Sequence, residues 1–445
     1  MSFRINLGVL LMLLCFGLLA AVLVSPARAA PASAQSSQES PALYDSGPGS
    51  SSNPGATNPE PGTGWLGRKI QEWLGLGKDT GIWFGGSWIS DVNFLIAGGE
   101  EPGRNTVNSL VILGLRLHTE KLKGWKGGEF GIDLLQFNGS PANTQAGSVQ
   151  GYNALPGPDP LNRFELYQLW WRQTLFDGKF IFQIGKSIAS ADFNNVVRTM
   201  PAPIKDMRSP AITSLIFTPI FTNPTMSNVL PGSYNSACGI TASWLPNENI
   251  YFSYGFYDGN LARGSQTGLR GPQFNGYYLH IGEAGACWMV KDHPGKVGIG
   301  GWVQTGRLTN SGFTDNGIGG FYLYGSQRLY KIRPQIDNSG FIIFAQYGIN
   351  NSETATVNQY VGGGLTGLAL LPERPEDSCG IGVACSWLNR NLYQRNNEVI
   401  LQGYYQMNLI GATYLQPVLS YIPAPGAATG LKSAWAVTLR FIALF

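Results

Sequence analysis

The side chains best suited to chemistry stand in one short run and in the stretch that follows it. Arg163, Glu165, Tyr167 and Trp171 recur at even spacing, with Phe164 and Leu166 between the first three. On an extended chain alternate residues share a face. The four would then present a cation, a carboxylate, a phenol and an indole together, and Phe164 and Leu166 would turn the other way. The alternation weakens at Gln168 and Arg172, where a bulge would shift it. Further on, Asp192, Arg198 and Arg208 lie with Lys205 and Asp206 in a stretch broken by prolines. Such a set donates and accepts hydrogen bonds and offers aromatic faces, which suits reversible contact with a polar solute. Covalent chemistry has less to stand on. The only histidines are His118, His280 and His293, and no serine pairs with one of them. Ser326 is near Tyr324 and Arg328 but lacks a base. No residue is assigned a catalytic role. No His/Cys spacing matches a metal site, and Gly362-Gly363-Gly364 lacks the Gly-Lys-Ser/Thr ending of a phosphate loop. No metal or cofactor is expected.

The elements that must position these groups are read from the last stretch of the chain. Trp435, Val437, Leu439, Phe441, Ala443 and Phe445 form one alternate set, uncharged and mostly large. The other set, Ala434, Ala436, Thr438, Arg440, Ile442 and Leu444, holds the polar groups. One face suits lipid and the other a wetter interior. A tilted strand of about 10 residues crosses a bilayer, and lipid leaves no partner for an open sheet edge. The spacing therefore predicts an all-β fold, a transmembrane antiparallel β-barrel of about 16 strands. Asp177-Gly178 marks a tight hairpin turn, and Pro246-Asn247 and Asp258-Gly259-Asn260 mark two further turns. Residues 138–161 read as a surface loop. Residues 186–237, with six prolines between Pro201 and Pro231, are too apolar for a solvated linker. They are expected to fold inward, and the barrel should span 79–445.

The 445 residues carry a formal net charge of +3, which gives no case for nucleic acid. Charged residues are 13%, against about 25% in ordinary soluble domains. Aromatics at 12% suit interfacial girdles. Arg4, the apolar run Leu7 to Val24 and Ala27-Arg28-Ala29 predict a signal peptide over 1–29. Residues 30–64 are Ser, Pro and Gly rich and read as disordered. Leu66, Ile70, Trp73 and Leu74 predict a short amphipathic helix over 65–78, either a plug at the barrel entrance or an element on the membrane surface. Cys379, Ile381, Val383 and Cys385 share an apolar face and cannot bridge along one strand. A Cys238–Cys287 bridge stays open.

Several stretches taken together resemble the carbohydrate-selective porin family typified by OprB. They are Phe164-Glu165-Leu166-Tyr167-Gln168-Leu169-Trp170 with Phe176-Asp177-Gly178-Lys179, Tyr254-Gly255-Phe256-Tyr257-Asp258-Gly259-Asn260, Tyr360-Val361-Gly362-Gly363-Gly364-Leu365 with Arg374-Pro375-Glu376-Asp377, and Leu415-Gln416-Pro417-Val418. The resemblance runs with gaps from about Gly64 to Phe445. It implies a sixteen-stranded bacterial outer-membrane barrel, embedded in lipid, that passes monosaccharides such as glucose and similar small solutes by facilitated diffusion. On that footing Arg163, Glu165, Tyr167, Trp171, Asp192, Arg198 and Arg208 would line the pore and meet sugars. A general or weakly anion-preferring porin is the alternative, and an outer-membrane barrel enzyme a third reading. A monomer and a homotrimer fit the sequence equally.

Overall fold

The computed structural model describes residues 65–76, 80–153, 155, 160–194, 196, 223–232, 234–265, 271–291, 293–337 and 339–445. The expected export signal, the 30–64 segment, and Lys205, Asp206, Arg198 and Arg208 lie outside these residues.

Sixteen strands close into one antiparallel barrel, each paired with its sequence neighbours and the first with the last. They are β1 Ile82–Ala97, β2 Asn105–His118, β3 Gly128–Asn138, β4 Asn162–Leu175, β5 Phe180–Ser187, β6 Ala237–Asn247, β7 Ile250–Asp258 and β8 Tyr278–Val290. The second half is β9 His293–Asn310, β10 Phe313–Lys331, β11 Gly340–Asn350, β12 Val357–Leu368, β13 Ser378–Leu388, β14 Asn397–Ile410, β15 Thr413–Ile422 and β16 Ala434–Leu444. The predicted strand number holds. Several strands run longer than expected, because polar residues such as Asn316 and Thr309 continue the β9–β10 ladder beyond the apolar band.

The two-residue rhythm becomes two faces of the wall. In β16, Trp435 and Leu439 point outward and are about 40% exposed, whereas Thr438 and Arg440 point inward and are 3% and 1% exposed. Outward rings gather toward both rims: Trp244 stacks on Phe252 at one end, and Phe256 on Phe274 at the other. Aromatic bodies with polar edges prefer these depths. The outer face is thus built for hydrocarbon and for its two boundaries.

An even strand number puts both ends of the sheet on one rim. That rim carries short turns such as 176–179, 248–249 and 411–412. The opposite rim carries the long connections 139–161, 188–236 and 259–277. Short periplasmic turns and long external loops are the rule for such barrels.

The N-terminal helix α1, Trp65–Leu74, is shorter than predicted. Gln71 is buried, while Trp73 and Leu74 are exposed. Cys238, Cys287, Cys379 and Cys385 are free thiols. Cys238 lies on the outward parity of β6 and Cys287 is buried on the inner face of β8, so the wall itself separates them. Ile381, between Cys379 and Cys385, is exposed on the outer face as the alternation requires.

Candidate functional site

The inner face of β4 begins as the sequence suggests. The Arg163 guanidinium donates to the Tyr234 carbonyl at 2.9 Å and to Asn235 Oδ1 at 3.2 Å. It stands 3.8 Å from the Glu165 carboxylate. Tyr167 is fully buried. Tyr234 in turn stacks on Phe137 of β3. These contacts clamp the returning end of the 188–236 connection to the wall. The set predicted as one face breaks after Tyr167. A register shift places Asp133 opposite Gln168 but Leu134 opposite Leu166, so Tyr167 is an extra residue and every later side chain changes face. Trp171 consequently points outward. It pairs with Phe130 and packs on the exposed Trp125, and Trp170 takes the inner position. Trp171 is therefore removed from the interior set.

Trp170 is flanked by two guanidinium groups, Arg116 at 5.1 Å and Arg172 at 5.2 Å from the ring centre. Arg116 also makes a two-pronged bond to Asp133, at 2.8 and 3.1 Å, and Gln168 donates to the same carboxylate at 2.7 Å. Arg172 stands 4.0 Å from Glu129. The lower interior is thus an interlocked network of opposite charges around one indole.

The outgoing end of the long connection is held on the other side. Asp192 closes a short 3-10 turn at Ala189–Ala191. Two residues later the Asn194 amide donates to Glu283 of β8 at 2.7 Å. Glu283 is buried, and three phenols donate to it: Tyr251 at 2.6 Å, Tyr322 at 2.8 Å and Tyr324 at 2.7 Å. Four donors replace the water that a buried carboxylate would otherwise need. The rings reach it because glycines face them across the ladder. Gly298 stands opposite Tyr324 and Gly300 opposite Tyr322, and a Cβ at either would sit within 2.5 Å of the ring. A further part of the same connection, Pro224–Met226, meets β11, where Asn350 donates to the Thr225 carbonyl at 2.8 Å. The described parts of 188–236 therefore touch β4, β8 and β11, widely separated points on the inner wall.

Most of residues 139–153, expected as part of a surface loop over 138–161, do not lie on the surface. The segment, with the short helix α2 (Ala142–Gln145), turns inward. Asn153 donates to Asp91 of β1 at 2.7 Å and accepts from Arg440 of β16 at 3.2 Å. Ser148 Oγ and the amides of Val149 and Gln150 donate to Glu398 of β14. Its polar composition is satisfied by wall residues, not by water. Tyr152, beside Asp91, has its hydroxyl pushed well above the ordinary phenol range by burial first and then by that carboxylate.

Carboxylates on the inner wall are thus met by a guanidinium or by dense sets of neutral donors. The sequence missed Glu283, Glu398 and the Arg116–Trp170–Arg172 stack. A signal for Glu283 was present: one charge on an inner face otherwise made of Leu279, Ile281 and Gly285.

The model of a protein family described as carbohydrate-selective porin, OprB family, matches residues 111–445. Porin B of Pseudomonas aeruginosa is 21% identical over 385 residues, covering 75% of this chain and 80% of that protein. Among solved structures, the high-pH structure of Pseudomonas putida OprB is 18% identical and has a TM-score of 0.72, covering 86% of this chain and 97% of its own. The low-pH structure of the same protein is 15% identical, with a TM-score of 0.56 over the same shares. These two likenesses show a shared fold.

Proposed function

The chain belongs to the carbohydrate-selective porin, OprB family, and from that premise we propose that it carries monosaccharides such as glucose, and similar small solutes, across the bacterial outer membrane by facilitated diffusion. The observation that carries this reading is the closed barrel whose inner wall carries carboxylates, guanidinium groups and phenols among its side chains. A sugar needs such donors and acceptors to replace its water, yet must not be held too firmly to leave.

The roles within that wall differ. Arg163 is a positioning residue, because its guanidinium bonds the 188–236 connection at Tyr234 and Asn235; Glu165 stands 3.8 Å from that guanidinium, and Tyr167 shares the buried inner face with them. Asp192 on that connection, with Arg198 and Arg208 farther along its sequence, is assigned to meet solute. Residues 1–29 act as the export signal that routes the chain to this membrane.

The test is a single channel in a planar bilayer with glucose added to one side. Discrete conductance steps with a glucose-dependent block are expected. In liposomes, glucose should enter faster than a neutral non-sugar of similar size. Steps that glucose never interrupts, with equal uptake of both solutes, would refute sugar selectivity and leave a general pore.

A further inference from the structure

We propose that the outward face of β12–β16 holds one phosphorylated, acylated lipid of the outer leaflet, with an acyl chain in a groove over Gly363 and Gly403 and its phosphate groups at Arg390 and Lys432.

Shape is the first observation. An apolar outer wall is ordinary in a bilayer, but this stretch of it is hollow. A groove of about 570 Å³ lies across it, lined in part by Gly363, Leu365, Ile381, Leu401, Gly403 and Trp435. Sites for small, mostly apolar ligands measure about 300–1,000 Å³. The hollow follows one row of the ladder. Trp435 faces Tyr421, Tyr421 faces Leu401, Leu401 faces Val383 and Val383 faces Gly363. Neighbouring strands stand about 4.8 Å apart, so this row runs roughly 19 Å from β16 to β12. Trp435 lies near the external end of β16 and Gly363 midway along β12. The groove therefore descends from the external boundary, marked by the Tyr421–Trp435 stack, to the middle of the wall. That is the path of an outer-leaflet acyl chain.

The second observation is a glycine that the wall itself does not need. Gly403 pairs with Ile381 and Leu419, both exposed on the outer face, and so shares that face. A Cβ at Gly403 would meet its nearest atoms at 3.7 Å, an ordinary contact. At Gly363, by contrast, a Cβ would stand 2.7 Å from the Phe344 carbonyl oxygen, so the ladder demands that glycine. Gly403 leaves open a space that a side chain could fill. An unfilled hollow forfeits dispersion contacts along its lining, and a flexible hydrocarbon chain restores them.

Charge is the third. The connections 389–396 and 423–433 cap the strands that the groove crosses. They carry Arg390, Arg395 and Lys432 and no Asp or Glu. Among the described residues none of these three cations stands in an ion pair. The adjacent connection 98–104 holds Glu100 and Glu101, and Glu101 is taken by Arg104 at 2.9 Å. Arg395 donates to the carbonyls of Ala428 at 3.0 Å and Thr429 at 2.7 Å, which ties the two connections into one platform. Arg390 and Lys432 are exposed on it. Cations set over a membrane-facing groove match lipid phosphates. A second copy seated two-fold on the same face would instead bring like charges together.

The test uses the full chain folded in detergent micelles, titrated with a bis-phosphorylated, multiply acylated glucosamine disaccharide (lipid A) and read by native mass spectrometry. One retained lipid per barrel is expected, with its dephosphorylated form and phosphatidylcholine held several-fold less. Gly403→Leu fills the groove, and Arg390→Gln combined with Lys432→Gln removes the headgroup partners. Each variant should cut occupancy several-fold while resistance to unfolding in cold detergent stays at the wild-type level. Unchanged occupancy in either folded variant would overturn the proposal. So would a paired barrel that Gly403→Leu splits, which would assign the groove to a second copy. Millimolar inorganic phosphate should leave most of the lipid in place, because the chain is held apart from the headgroup; complete displacement would reduce the site to an anion patch and overturn the groove. The readout needs no solute, so a failure of sugar passage and a failure of this site are told apart.

Discussion

The pair Asp91–Arg440 closes the cylinder, and its removal should be costly in a particular way. Asp91 on β1 faces Arg440 on β16, across the seam between the first and last strands. The guanidinium makes two bonds of 2.7 Å to the carboxylate, and the side chains are 0% and 2% exposed. Arg440→Met leaves the buried Asp91 carboxylate with Asn153 as its remaining side-chain donor among the described residues. Stranding one partner of a buried pair typically costs about 3–5 kcal/mol, roughly two to three and a half powers of ten in the folding constant. Asp91→Leu should cost a similar amount from the other side. The double variant replaces both charges with apolar groups of comparable bulk, a change that is often near neutral. It should therefore lose less stability than either single variant. Urea unfolding from lipid vesicles, followed by tryptophan fluorescence, measures all three. If Arg440→Met stays within about 1 kcal/mol of wild type, far below the range for a stranded buried charge, the seam does not depend on this pair. If the double variant loses the sum of the two singles, the partners act independently and the reasoning fails.

Glu283→Ala should release the start of the 188–236 connection, since the Asn194 amide and three phenols lose their common acceptor. Each stranded buried donor costs about 1–3 kcal/mol, so the melting temperature should fall and new protease cuts should appear within 188–236; an unchanged digest would contradict the tether. At the short-turn rim, hydrogen bonds from Ser339 and then the Arg333 guanidinium hold the Asp337 carboxyl below its ordinary value of 3.8, against a smaller opposing effect of burial. A depressed carboxylate stabilises its turn above the unfolded value and loses that contribution as pH falls through the folded one. Pepsin cleavage at 332–339 should therefore rise below about pH 3.8 in the wild-type protein, and Asp337→Asn should abolish that dependence.

The barrel was legible because lipid and lumen impose opposite demands on neighbouring residues, and a strand writes both at period two. Trp435 to Phe445 shows this without help from the rest of the chain. The interior was less legible, for two physical reasons. One added residue at Tyr167 inverts everything downstream on β4, and only the misplaced polarity of Gln168 and Arg172 hinted at it. The partners of 139–153 are also remote in the chain. Ser148 and Glu398 are 250 positions apart, so composition alone made the segment look solvated. Glycines opposite Tyr322 and Tyr324 could have been found by aligning neighbouring strands, since a ring lying flat needs a bare backbone beneath it. Helix α1 was legible from its spacing alone. Trp73 and Leu74 are exposed on it, away from the barrel wall.

The pairing of β1 with β16 joins residues 349 positions apart. Contacts so remote form late, because a long loop must be ordered first. Until the final strand arrives, β1 offers a row of unmet amides and carbonyls, an invitation to any other extended chain nearby. Synthesis therefore delivers the piece that completes the ring only after all the others. The polypeptide must be kept apart from its siblings during that wait, and the zipping of one hairpin after another is the stage at which crowding does most harm.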